Sequence, residues 1–123
     1  MAGQLVFVYG TLTRGGTNHA LMKGQVFRGT ARSAPGFRLI HLGTYPGLIA
    51  YPEDRDGVLG EVWTVDAPGL ARLDELEGVN EGLYRRGLIP LMPAFDQAEV
   101  QTYFYLLPTT GLRHIDGGRW TEP

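Results

Sequence analysis

"GVLGEVWTVDAPGLARLDELEG", Gly57–Gly78, changes its hydrophobic period part way along. Up to Asp66 it alternates, with Val58, Gly60, Val62 and Thr64 set against Leu59, Glu61, Trp63 and Val65, the two-residue period of a strand. Beyond Asp66, Leu70, Leu73 and Leu76, with Ala67 and Ala71, recur at helical spacing. Asp66 has the side chain of a helix N-cap, and Pro68 is tolerated in the first turn. Gly78 is a C-terminal stop.

Outward from this unit the pattern is mostly extended. "QLVFVY", Gln4–Tyr9, is apolar on both faces, as a central buried strand requires. Thr17 is placed to cap a short helix over Asn18–Lys23, ended by Gly24. "VFRGTAR", "FRLIHL", "TYPGLIAYP", "YRRGLIPLM" and "AEVQTYFYLL" read as further strands parted by Gly and Pro, and the tail "HIDGGRWTEP" as turns. Strands in runs, with two short helices, predict an α+β fold over residues 1–123 as one domain. Closure of the sheet into a small, closed or nearly closed mixed β-barrel would remove its edges.

Composition excludes several chemistries. The 123 residues include no Cys, one Ser (Ser33) and one Lys (Lys23), so thiolate nucleophiles, disulfides and thiolate metal sites are out. Ser33 has no nucleophile-elbow sequence around it. His19, His41 and His114 show no metal-ligand spacing, so neither a metal nor a cofactor is expected. Net charge is −2 with no basic block, which argues against nucleic acid as a partner. No apolar run is long enough for a membrane span, and the N-terminus lacks the charged start of a signal peptide. A cytoplasmic protein is expected, as monomer or homodimer.

Two stretches carry candidate chemistry. "YGTLTRGGT", Tyr9–Thr17, joins a strand to a helix through a glycine-rich turn without the lysine of a phosphate-binding loop. Free backbone N–H groups there suit a carboxylate or a developing oxyanion, whereas the plainer reading is a tight turn. "LDELEG", Leu73–Gly78, ends a helix on Asp74, Glu75 and Glu77, at the dipole end that disfavours acids. Like charge at Asp74 and Glu77 adds to this, so at least one carboxyl should titrate high and suit general acid–base work. Glu77, beside Gly78, is the best placed; the competing reading is a solvated acidic helix end paired to Arg85 or Arg86. The tyrosines, among them Tyr9, Tyr45 and Tyr84, are candidate pocket walls with a polar tip.

Taken together, "FVYGTL", "TYPGLI", "GVLGEVWTV", "LDELEG" followed by "YRR", and "IDGGRW" resemble the gamma-glutamyl cyclotransferase-like family, which includes gamma-glutamylamine cyclotransferases and avirulence-induced-gene-like proteins. The resemblance runs in order along nearly the whole chain. It implies a small barrel with a pocket at one end, and Tyr9, Gly10, Thr11 and Leu12 as the substrate-binding loop. It also implies Glu77 as the catalytic acid/base, with Tyr45 and Tyr84 as pocket walls. The implied reaction is cofactor-free: a small gamma-glutamyl amide cyclises, releasing 5-oxoproline and a free amine or amino acid. Two alternatives stay open: a non-catalytic module binding a carboxylate or gamma-glutamyl ligand, and an interaction protein using an exposed barrel face.

Overall fold

The chain is described here from a computed structural model covering residues 3–122, so residues 1, 2 and 123 of the expected domain lie outside the described residues. In chain order the strands are β1 (Gln4–Val8), β2 (Val26–Arg32), β3 (Phe37–His41), β4 (Pro46–Ala50) and β5 (Leu59–Val65). After helix α1 (Ala67–Leu76) come β6 (Tyr84–Leu88), β7 (Val100–Tyr105) and β8 (His114–Ile115). Every strand read from the sequence is present, and β8 is a short addition from the tail read as turns. None of the described helices is long and apolar enough to cross a membrane.

The mixed α+β class stands, but the strands do not close into a barrel. They form a five-stranded sheet of order β2-β5-β1-β7-β6 and a three-stranded sheet of order β4-β3-β8. The edges are blunted in other ways. β2 has an irregularity between Phe27 and Gly29 and carries the exposed Arg28, and β6 carries Arg85 and Arg86. Bulges and charge discourage edge pairing without closure.

β1 lies at the centre because its two faces are both apolar. It runs antiparallel to β5 and parallel to β7, in register Val6↔Trp63 and Val6↔Gln101. Phe7 and Tyr9 pack on one side with Leu39 and Leu48 of the smaller sheet, and with Val62 and Phe104. Val6 and Val8 pack on the other with Trp63, Met22 and Leu73 of α1. Complete burial of one such leucine side chain contributes about 1.5–3 kcal/mol.

Two local expectations are corrected. The helix expected at Asn18–Lys23 is a single 3-10 turn, His19–Met22. Thr17 does not cap it, because its N–H and hydroxyl both donate to Glu122 of the tail. In α1, Leu73 is fully buried, whereas Ala67, Ala71 and Leu76 are exposed. Only one turn of the helix faces the sheet squarely, so the apolar stripe is narrower than the periodicity suggested.

Candidate active site

Helix α1 delivers Glu77 by the way it starts and stops. At its start, Asp66 Oδ1 accepts from the Gly69 N–H at 2.7 Å. At its end Glu77 is the C-cap, and Gly78 follows with φ +67°. The Gly78 N–H donates to Glu75 O at 3.1 Å, and the Val79 N–H to Asp74 O at 3.0 Å. This is the Schellman pairing, which requires a residue at ease with positive φ just after the cap. Glu77 is therefore held at a fixed point where the chain turns off the helix.

The glycine loop comes to the same place from the end of β1. It is folded on itself by Thr13, whose N–H and hydroxyl both donate to Gly10 O, at 3.1 and 2.7 Å. Asn18 reinforces it, donating from its N–H to Thr11 O and from its side chain to Thr11 Oγ1. A methyl group on Gly10 would sit 2.8 Å from the ring of Pro46, so only glycine lets the loop lie this close to β4. Among the described residues, the N–H groups of Gly10, Thr11 and Leu12 find no protein acceptor.

These pieces enclose a cavity of about 410 Å³. Tyr9, Gly10, Thr11 and Leu12 line one side, Tyr45 and Pro46 another, and Glu77, Tyr84 and Tyr103 complete it. Three phenols brace the walls. Tyr9 donates to Tyr103 O at 2.7 Å, Tyr84 to Pro46 O at 2.8 Å, and Tyr103 to Asp74 Oδ1 at 2.6 Å. Burial and the nearby Glu77 charge push Tyr9 and Tyr84 well above the ordinary phenol value. They stay protonated across the neutral range. With their hydrogens committed to fixed acceptors, their oxygens have only lone pairs left to offer.

Glu77 is the electrostatic exception of the site. Burial pushes its carboxyl up from 4.5 to about 7. No described group donates to it, yet no buried side-chain oxygen is left without a partner, so the carboxyl remains reachable from the cavity. The physical cause differs from the one expected. The helix-end carbonyls of Asp74 and Glu75 are capped by Val79 and Gly78. Asp74 is neutralised by Arg86, at 3.0 and 3.1 Å, and accepts from Tyr103. Desolvation, rather than a neighbouring acid or the helix dipole, raises Glu77. Asp74, bonded to Arg86 and Tyr103, is the paired acid of the competing reading.

All seven residues singled out from the sequence line this one cavity, with Tyr45 at its rim, 45% exposed. His19 lies outside the cavity lining and contacts Leu12 O of the loop through Nδ1 at 2.9 Å. A supporting residue escaped the sequence reading: Glu61, only 7% exposed. It accepts from the Arg14 N–H at 3.1 Å, from Arg14 Nε at 2.9 Å and from Trp63 Nε1 at 3.1 Å. It thus staples the far end of the glycine loop to β5. The signal was an acid in the strand alternation, on the side of Trp63. Among the described residues no cluster of three His, Asp or Glu is arranged to hold a metal ion.

Comparison with known proteins bears on this geometry. The family described as "Gamma-glutamyl cyclotransferase, AIG2-like" matches residues 6–122. A Vibrio cholerae relative is 39% identical over 120 residues, 96% of each chain. The human gamma-glutamylaminecyclotransferase is 35% identical over 101 residues, 76% of this chain and 65% of its own length. Among solved structures, a uropathogenic E. coli protein superposes with a TM-score of 0.81 at 29% identity, covering 98% of this chain and 94% of that one. A mouse AIG2-like protein superposes at 0.69 with 30% identity, covering 89% and 80%.

Proposed function

This chain belongs to the gamma-glutamyl cyclotransferase, AIG2-like family, and we propose that it cleaves a gamma-glutamyl amide by intramolecular cyclisation in the cytosol, with Glu77 as general acid/base. The observation that carries the proposal is the pairing, across one cavity, of an unpartnered carboxyl near neutrality with three unengaged backbone N–H groups.

The chemistry follows from those two elements. Ionised Glu77 accepts a proton from the substrate α-ammonium, a transfer eased by a carboxyl whose affinity for protons is raised. The freed amine attacks the γ-carbonyl carbon of the same molecule, forming the new C–N bond of a five-membered ring. The carbonyl oxygen takes the electron pair and is stabilised by the N–H groups of Gly10–Leu12, or these hold the α-carboxylate while the ring closes. Glu77 passes the proton to the leaving nitrogen, the amide C–N bond breaks, and the second proton of the new ring nitrogen is handed on by Glu77 to the departing amine, so that 5-oxoproline and an ammonium leave. The attacking and leaving groups belong to one molecule, so the site's task is to hold the folded conformer and carry protons from the attacking to the leaving nitrogen. Tyr84, as a fixed lone-pair donor, suits the ammonium end.

Product identity tests the proposal. Cyclisation yields 5-oxoproline in equal amount to the released amine, whereas water attack yields glutamate. Glutamate as the product, or no product alongside tight binding of gamma-glutamyl compounds, would replace this reading by a hydrolase or a binding module respectively.

A further inference from the structure

The N–H groups of the glycine loop fall into two sets. Those of Gly10, Thr11 and Leu12 find no acceptor among the described residues. On the returning limb, Thr13 and Gly16 donate within the loop, whereas Arg14 and Thr17 donate to carboxylates from elsewhere in the chain. Glu61 of β5 takes the Arg14 N–H at 3.1 Å, and Glu122 of the tail takes the Thr17 N–H at 2.9 Å.

The two acids are built alike. Each accepts a backbone N–H of the loop, a side-chain donor of that same residue and an indole N–H. For Glu61 the last two are Arg14 Nε and Trp63 Nε1; for Glu122 they are the Thr17 hydroxyl and Trp120 Nε1. Trp63 is buried in β5 of the larger sheet, and Trp120 rests on His41 of the smaller one, ring centroids 5.3 Å apart. The loop is thereby pinned towards both sheets. Neither acid lines the cavity that holds Glu77. Their link to the open N–H groups runs through the Thr11–Leu12 peptide. A methyl group on Gly16 would overlap Thr11 O, and Asn18, next to Thr17, donates to that same oxygen at 2.8 Å. The returning limb therefore braces the peptide whose other end is the Leu12 N–H. Donors aimed at a developing or bound anion act through such prior fixing. Resting on the cyclotransferase reading, we propose that Glu61 and Glu122 are positioning residues that act through Arg14 and Thr17 to hold the N–H groups of Gly10–Leu12 in place for the substrate's negative charge.

The test changes each acid to Ala and to Gln. Gln keeps one acceptor oxygen for the loop N–H, and Ala keeps none. Glu122 is in the tail and only partly buried, so Glu122→Ala reads the proposal even where the buried Glu61→Ala fails to fold. Asp54→Asn is the control, a buried acid that holds Arg38 and the Gly57 N–H. Backbone 15N relaxation of the free protein reads the loop without ligand or turnover. In either Ala variant the order parameters of Gly10, Thr11 and Leu12 are expected to fall from about 0.85 to below about 0.6. The kcat/KM for 5-oxoproline release from gamma-glutamyl-isoamylamide is expected to fall about tenfold or more. The Gln variants stay within about threefold of the wild type, since the loop N–H keeps its acceptor, and Asp54→Asn changes neither quantity. Unchanged order parameters in Glu122→Ala, Gln losses as large as the Ala losses, or equal losses in Asp54→Asn overturn the proposal. So does a loosened loop with wild-type kcat/KM. A wild type that forms no 5-oxoproline sinks the catalytic reading alone. Calorimetric titration of 5-oxoproline, itself a carboxylate, then reads the loop. Binding about tenfold weaker in the Ala variants supports the proposal; equal affinities, or no binding to the wild type, overturn it.

Discussion

Replacing Glu77 by Gln should make the protein more stable at pH 8 and leave it unchanged at pH 4. The folded carboxyl titrates at about 7, against 4.5 in an open environment. Between those values the folded chain keeps a proton that the unfolded chain has lost. The Glu77 contribution is therefore fully favourable below about 4.5, declines as pH rises, and reaches its full cost above about 7. A shift of this size corresponds to about 3 kcal/mol. Partial access of the carboxyl to cavity water reduces that to about 2 kcal/mol. The amide of Gln carries no charge to desolvate, so the variant avoids this cost. For a domain of this length, a gain of about 2 kcal/mol raises Tm by roughly 6–10 °C. Thermal unfolding followed by circular dichroism at pH 4, 6 and 8 measures the difference directly, since every other titrating group is common to both proteins. Equal Tm values at pH 8, or a gain of the same size at pH 4, would refute the argument that burial sets this carboxyl.

Three further outcomes follow from the same geometry. Gly10→Ala drives a methyl group into the Pro46 ring and displaces the loop N–H groups, so kcat/KM should fall by more than about tenfold while Tm drops by only a few degrees, measured by 5-oxoproline release and calorimetric melting. Asp74→Asn removes the charge, and one of the two acceptor oxygens, that hold Arg86 and the Tyr103 hydroxyl; denaturant unfolding should show a loss of about 1–3 kcal/mol. In the wild type, kcat/KM for a gamma-glutamyl amide should rise with pH through a midpoint near the Glu77 value of about 7, and a profile flat from pH 5 to 8 would count against this acid as the proton acceptor.

The parts of the fold set by local chemistry were readable from the sequence. The period change at Asp66 placed β5 and α1, Gly78 placed the helix end, and the doubly apolar Gln4–Tyr9 placed the central strand. What could not be read was set by contacts distant in the chain. The third strand of the smaller sheet comes from β3 pairing with β8, about seventy-five positions away, and nothing local in "HIDGGRW" announces a strand. The failed cap at Thr17 has the same origin: Glu122 competes for it from the far end of the chain. At the site, the raised titration of Glu77 was anticipated from its awkward place on the helix, but its cause was misattributed. A helix-end argument sees the dipole and the i, i+3 neighbour; it does not see Arg86 paired with Asp74, or the walls of Tyr9 and Tyr84 beside the carboxyl. Leu76 illustrates the converse. Its spacing marked it as core, whereas the structure leaves it exposed among the residues that line the cavity.

The most direct test of the account is 5-oxoproline release from gamma-glutamyl-isoamylamide by the wild type and by Glu77→Gln, each verified as folded by its thermal transition. The account predicts release by the wild type and its loss, by at least about a hundredfold, in the variant. Release by the variant at the wild-type rate would contradict Glu77 as the proton relay and return the cavity to a binding role or to another catalytic group.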